Sequence, residues 1–67
     1  MNKTEKTLLD KAAADKYRWV PVSYRQERAA SWLHAEGYGI WLRDADPPRF
    51  IIFPHVQKAW LARLDAH

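Results

Sequence analysis

The chain has 67 residues, no cysteine and a formal net charge of +3, from eleven Lys and Arg against eight Asp and Glu. This length predicts a single domain over residues 1–67, in which four Trp, three Tyr and two Phe must supply most of the core volume. The missing cysteine excludes disulfides and thiolate zinc sites, and the mild charge excess lacks the dense basic stripe of a dedicated nucleic-acid binder.

The N-terminal segment does not have the pattern of a signal peptide. Only Leu8 and Leu9 interrupt its polar residues, whereas a signal peptide has a continuous apolar centre. No stretch approaches the roughly 20 apolar residues that a membrane span requires. We therefore expect a cytoplasmic protein that does not enter a membrane.

The first predicted element is a helix over residues 4–16. The residues of its apolar stripe recur at helical spacing: Leu8, Leu9, Ala12 and Ala13. Two pairs have the capping-box spacing that could begin it: Asn2 with Glu5, and Thr7 with Asp10. Because the stripe is narrow and rich in alanine, we expect this helix to pack lightly.

Residues 17–22 alternate aromatic and branched side chains, which predicts a strand. Pro21 has no N–H for a ladder hydrogen bond, so this strand should be short and lie at a sheet edge. A second helix follows over residues 23–36. Ser23 and Gln26 form a capping box that opens it, and Gly37 stands where a left-handed residue would end it.

A β-hairpin is predicted over residues 38–53, with residues 44–48 as a five-residue loop rich in Asp and Pro. The expected cross-strand pairs are Ile40 with Ile52, Trp41 with Ile51, Leu42 with Phe50, and Arg43 with Arg49. One face then carries Tyr38, Ile40, Leu42, Phe50 and Ile52. The other carries Trp41, Ile51 and Phe53, with Arg43 and Arg49 side by side. Both faces are apolar, so either helices cover both, or one is kept for a partner.

The last predicted element is a helix over residues 55–65, entered through Pro54. Its buried side is predicted to consist of Val56, Ala59, Trp60 and Leu64. The whole order is α-β-α-β-β-α. We therefore predict an α+β fold, in which three helices pack on a small antiparallel sheet made of hairpin 38–53 and edge strand 17–22.

No group of residues has the pattern of a catalytic or metal site. The three histidines, His34, His55 and His67, lack the i, i+4 pairing of helical metal ligands. Neither Ser23 nor Ser31 lies in a strand-turn-helix elbow, and two glycines are too few for a phosphate-binding loop. Asp44 and Asp46 are typical turn residues. We therefore expect a protein without enzyme activity, cofactor or bound metal.

Two surfaces are candidates for contact with a partner. The first lies on the hairpin and consists of Trp41, Arg43, Arg49 and Ile51. Its paired arginines would repel each other unless Asp44, Asp46 or an external anion offset their charge. The second lies on helix 23–36 and consists of Arg25, Arg28 and Trp32, at i, i+3, i+7 spacing. In the alternative interpretation, Trp32 closes the border of the core and the two arginines are only solvated.

The leading hypothesis for function is a small protein-binding module that regulates or inhibits a larger partner by occluding it. Trp and Arg are abundant for so short a chain, and both are enriched where proteins make their strongest contacts. The size of the chain is also that of phage or mobile-element accessory proteins, including anti-CRISPR inhibitors; this is an analogy of size alone.

The alternative hypothesis is nucleic-acid binding. Helix 23–36 followed directly by hairpin 38–53 resembles the recognition helix and wing of a winged-helix domain. The resemblance implies that Arg25 and Arg28 face phosphates or base edges. Residues 17–22 depart from it, because they are extended where that family would have another helix.

Overall fold

A computed structural model describes residues 1–65 and confirms the predicted α+β architecture. The elements are α1 (Lys3–Ala14), β1 (Trp19–Pro21), a 3₁₀ turn (Tyr24–Gln26), α2 (Glu27–Ala35), β2 (Gly39–Leu42), β3 (Arg49–Ile52) and α3 (Pro54–Asp65). His67 lies outside the described residues. No helix within residues 1–65 is both long and apolar enough to cross a membrane.

Helix α1 begins at a capping box and forms the centre of the core. The N–H of Glu5 donates to Oδ1 of Asn2 at 2.9 Å, and the N–H of Asn2 donates back to Oε1 of Glu5 at 2.8 Å. Leu8, Leu9 and Ala12 are fully buried. The helix contacts α2, α3, β1 and β3, so the expectation of light packing is wrong. Small alanine side chains let neighbouring elements approach its axis closely.

A tight turn after α1 leads into β1. The carboxylate of Asp15 accepts the N–H of Tyr17 at 2.7 Å, and Arg18 has a left-handed backbone with φ of 65°. The turn occupies part of the segment 17–22 that was predicted as extended, so β1 has only three residues. Its position at the edge of the sheet is confirmed.

The predicted helix 23–36 begins with the 3₁₀ turn and continues as α2. The Gln26 side chain reaches back to the Ser23 N–H at 3.0 Å, while the Gln26 N–H bonds the Ser23 carbonyl oxygen at 2.9 Å. At the other end Gly37 has a φ of 85°. The N–H of Tyr38 then bonds the carbonyl of Leu33 at 3.0 Å, which caps the last turn. The predicted role of Gly37 is confirmed.

The three strands form an antiparallel sheet in the order β1-β3-β2. The observed pairs of the hairpin are Gly39 with Ile52, Ile40 with Ile51, Trp41 with Phe50, and Leu42 with Arg49. The predicted pairing is therefore wrong by one residue, and Arg43 does not pair with Arg49. A slip of one residue moves every side chain of β2 to the opposite face of the sheet.

Within residues 1–65, the helix residues of the core cluster pack on the face of the sheet that carries Val20, Phe50 and Ile52. These three side chains are almost completely buried beneath α1 and α2. Trp41 shares this face, because it is paired with Phe50, and it packs against the same core. Of the two arrangements that the sequence left open, helices on both faces or on one, the structure has helices on one.

Helix α3 packs against α1 through the middle of its length. Nε1 of Trp60 donates to Oδ1 of Asp10 at 2.7 Å, and Nε2 of Gln57 donates to the carbonyl of Ala13 at 2.9 Å. Of the predicted buried stripe, Val56 and Trp60 contact the core, whereas Ala59 and Leu64 are exposed. The prediction of a continuous buried stripe is wrong for those two residues.

Candidate functional site

The face of the sheet opposite the helices is the most distinctive surface of the molecule, and we call it the open face. Cross-strand partners point to the same side of a sheet, so two rows of side chains cross it. The rows are Trp19, Ile51 and Ile40, and next to them Pro21, Arg49 and Leu42. Five of these six side chains are apolar, on a backbone that the strand pairing holds rigid.

The open face leaves apolar area in contact with water. Ile40 is 39% exposed and Leu42 is 36% exposed, although both are in regular strand and have bulky branched side chains. Trp19 and Ile51 are half-buried. A contiguous exposed apolar patch on rigid backbone is typical of a contact surface, whereas isolated exposed apolar residues are common on any protein.

Arg49 supplies the charge of the open face and is held in place by three contacts. Its guanidinium carbon lies 4.3 Å from the centre of the Trp19 ring. Its Nε donates to the Pro47 carbonyl at 3.1 Å, and its Nη2 donates to the Asp46 carbonyl at 3.0 Å. These contacts tie the hairpin loop to the sheet. They also leave Nη1 for a carboxylate on a partner, with the cation already oriented.

Outward N–H donors at both edges of the sheet are missing or already engaged. At the β1 edge, Pro21 has no N–H, and the N–H of Trp19 is directed to Oδ2 of Asp15 at 3.4 Å. At the β2 edge, the N–H of Trp41 donates to Nδ1 of His34 at 3.0 Å. A partner that pairs strand to strand needs free edge donors and acceptors. Strand addition is therefore disfavoured at these positions, and the open face is the broader part of the sheet available for contact.

The structure separates the residues of the predicted hairpin surface. Arg49 and Ile51 lie on the open face, whereas Trp41 lies on the covered face, where its Nε1 is enclosed without a hydrogen-bond partner among the described residues. Arg43 is exposed where the hairpin loop begins. Trp41 is thus poorly placed to meet a partner, because α2 and the core occupy its surroundings.

Sequence reasoning missed four members of the open face: Trp19, Pro21, Ile40 and Leu42. Ile40 and Leu42 were assigned to the other face by the incorrect register. Trp19 was assigned only to an edge strand. The available signal was the spacing of Trp19 and Pro21. Residues two apart in a strand share a face, so these two lie on the side opposite Val20.

The predicted helix surface is exposed but is not one regular column. Arg25 belongs to the 3₁₀ turn, while Arg28 and Trp32 belong to α2, so the change of helix type interrupts the expected spacing. Trp32 is 37% exposed and stacks on Tyr38, with ring centres 6.0 Å apart. This stacking accounts for part of the burial of Trp32 without a partner.

No group of three His, Asp or Glu side chains within residues 1–65 converges as a metal site would require. Comparison with protein families, with curated proteins and with solved structures finds no match to this chain. The open face and its surroundings are therefore the basis for assigning a function.

Proposed function

We propose that the chain is a small protein-binding module that acts by covering an apolar segment of a larger protein with its open face. The observation that supports this is the pair of side-chain rows on the uncovered side of the sheet, with Ile40 and Leu42 each more than a third exposed. Burial of such area is the main source of affinity in protein association. An inhibitor encoded by a phage or mobile element, such as an anti-CRISPR protein, would have this mode of action.

The dimensions of the open face favour a narrow partner segment. Three strands about 4.8 Å apart, with about 3.3 Å of rise per residue over four residues, cover roughly 200 Å². A stable protein interface buries about 800 Å² on each side. A second copy of the chain, docked face to face, would fall well short of that area. One helix or extended segment, lying across the rows and continuing onto the flanking surface, fits better.

The charge of the surface favours a segment that also carries carboxylates. Arg49 projects from the second row, and Arg43 follows Leu42 at the same end of the sheet. A carboxylate that meets the free side of the Arg49 guanidinium would form a charge-assisted hydrogen bond, which is about twice as strong as a neutral one. The proposed partner segment is therefore apolar with at least one acidic residue.

Site-specific photocrosslinking in cells of the source organism tests this proposal. A photoreactive phenylalanine analogue replaces Ile40 on the open face or, as control, Leu61 on α3, which is equally exposed at 38%. We expect one protein to be captured from position 40 and not from position 61. An excess of unsubstituted chain, which carries no photoreactive residue, should reduce the capture. Folded Leu42→Asp chain should compete at least about tenfold less well, as expected for a hot-spot residue.

The captured protein should then bind the purified chain with one-to-one stoichiometry in calorimetry. Capture that is equal from both positions, or competition that is unaffected by Leu42→Asp, would contradict the proposal. Circular dichroism of each variant confirms that the fold is retained, which is expected because all three substituted side chains are partly exposed.

A second candidate function is nucleic-acid binding through α2 and the hairpin. The observation that favours it is the direct succession of α2 and the β2–β3 hairpin, with Arg28 and Trp32 exposed on the helix. The hairpin itself adds little, because Arg43 is followed directly by Asp44, and Arg49 already donates to two loop carbonyls through Nε and Nη2, which leaves only Nη1. We therefore place this function second.

A further inference from the structure

A cleft lies apart from the open face, between the first turns of α1 and the 3₁₀ turn. Its volume is about 330 Å³. The lining residues are Lys3, Thr4, Thr7, Ser23, Arg25 and Gln26. Since a water molecule occupies about 30 Å³ in the liquid, the cleft has room for a small ion together with several waters.

Among the described residues, the lining of the cleft carries positive charge without a compensating carboxylate. Lys3 and Arg25 contribute the two cations, and the other lining residues are neutral. The nearest acidic side chain along α1 is that of Glu5, which is buried and accepts the N–H of Asn2 at 2.8 Å. Its charge is thus committed to the capping box, and an anion in the cleft would meet two cations.

Hydrogen bonds between the lining residues determine which donor and acceptor groups remain for a ligand. The hydroxyl of Thr7 donates to the carbonyl of Lys3 at 2.9 Å, and the hydroxyl of Ser23 donates to Oε1 of Gln26 at 3.1 Å. Both partners can only accept, so each hydroxyl has already used its hydrogen. Their oxygens therefore present lone pairs and act as acceptors toward any bound molecule.

Gln26 is oriented in the opposite sense. Its Oε1 accepts from both the N–H and the hydroxyl of Ser23, so the other end of the amide, with its two N–H donors, is left for a ligand. The hydroxyl of Thr4 adds a group that can rotate to donate or accept. The cleft thus combines two cations and amide donors with two obligatory hydroxyl acceptors.

We propose that this cleft binds hydrogen phosphate. The cations and the Gln26 amide match the unprotonated oxygens, and the remaining P–OH group donates to the hydroxyl oxygen of Thr7 or Ser23. Sulfate has the same shape and charge but carries no hydrogen at neutral pH. It would leave those acceptors facing an anionic oxygen, which is unfavourable because two acceptors cannot form a hydrogen bond.

Nuclear magnetic resonance titration of the ¹⁵N-labelled chain with inorganic phosphate, and separately with sulfate at matched ionic strength, tests the proposal. We expect phosphate to shift the backbone amides of the cleft and the side-chain NH₂ of Gln26, with a dissociation constant of about 1 mM, and sulfate to bind distinctly more weakly. Arg25→Gln should weaken phosphate binding about tenfold, because it removes a charge-assisted hydrogen bond.

Two variants provide controls in the same titration. Arg43→Gln makes the same change of charge in the hairpin loop and should leave the phosphate affinity unchanged. Thr7→Val preserves shape but removes an acceptor, so it should reduce the preference for phosphate over sulfate without weakening sulfate. Equal binding of the two anions by the unsubstituted chain, equal losses in Arg25→Gln and Arg43→Gln, or no shifts at all would overturn the proposal. None of these results depends on the open face, so the two proposals fail separately.

Discussion

Trp41 and Trp60 have the same indole ring but different hydrogen bonding. Nε1 of Trp60 donates to Asp10 at 2.7 Å, and the Arg63 guanidinium lies 4.7 Å from the centre of its ring. Nε1 of Trp41 is enclosed without a partner among the described residues. A buried donor that lacks an acceptor costs roughly 1–3 kcal/mol, so the two N–H groups should have opposite effects on stability.

Substitution of each tryptophan by phenylalanine tests this difference. Trp60→Phe should lower the free energy of unfolding by about 1–2 kcal/mol, because the bond to Asp10 is lost. Trp41→Phe should change it by less than about 1 kcal/mol, because removal of the unpaired N–H offsets the lost ring volume. Urea unfolding of both variants measures the two values. A larger loss for Trp41→Phe would mean that its N–H has a partner in solution.

At the scale of the elements, the approach of β2 to β3 depends on the glycine at the start of β2. A Cβ atom on Gly39 would lie 2.6 Å from Cζ of Phe50 and would collide with the carbonyl oxygen of Ile51. Backbone cannot move aside as a flexible side chain can. Gly37 differs, because it needs a positive φ of 85° but has nothing within 4 Å of an added Cβ.

Alanine at these two glycines should therefore act differently. Gly39→Ala should cost about 3 kcal/mol or more, the upper range for overpacking, and should weaken amide protection along β2 and β3. Gly37→Ala should cost about 1–2 kcal/mol, the strain of a left-handed residue, and should leave the sheet protected. Denaturant unfolding with hydrogen exchange distinguishes them. Similar losses with similar exchange patterns would contradict the close strand contact.

The order and type of the elements follow from local signals that need no knowledge of the rest of the chain. The pair Asn2 and Glu5, the positive φ at Gly37, and Pro21 at an edge are each decided by a few neighbouring residues. The register of the hairpin is not local. Both faces of β2 and β3 are apolar, so a slip of one residue exchanges one apolar set for another and leaves no contrast in the pattern.

The same limit applies to the packing partners of the helices. Helical periodicity identified the stripe of α3, but it cannot tell how far a neighbouring element extends, and Leu64 is exposed. The alanines of α1 suggest little apolar burial, yet their small side chains allow several elements to pack against this helix. The open face could not be predicted for the same reasons. It is defined by the observed register of the hairpin and by the position of the helices on one side of the sheet.

At the scale of the whole molecule, the dependence of binding affinity on salt distinguishes the two candidate functions. Binding through Arg25 and Arg28 to phosphates would release condensed counterions, so affinity would fall steeply with added salt. Contact through the open face would depend on salt much less, because apolar burial is not screened.

We therefore expect duplex DNA and RNA to bind only in the non-specific range, about 10⁻⁴–10⁻⁶ M at physiological salt. Fluorescence anisotropy with labelled duplexes at two salt concentrations measures this. Arg25→Gln and Arg28→Gln, each tested as a single variant, should weaken the residual binding, while Arg43→Gln serves as a charge-matched control. Nanomolar binding that depends on base sequence and survives physiological salt would support the nucleic-acid function instead.

The missing and engaged N–H donors at the sheet edges also bear on aggregation. The run Phe50-Ile51-Ile52-Phe53 combines high β-propensity with no charge, a composition that favours cross-β fibrils when its edges are free. In the native fold, the first three residues of this run lie in the central strand β3. One flanking edge strand carries Pro21, and the N–H of Trp41 in the other donates to His34. Fibrils grow by adding strands to sheet edges whose N–H and C=O groups are free. The protein thus exposes an apolar face while its sheet edges offer few free donors to an added strand.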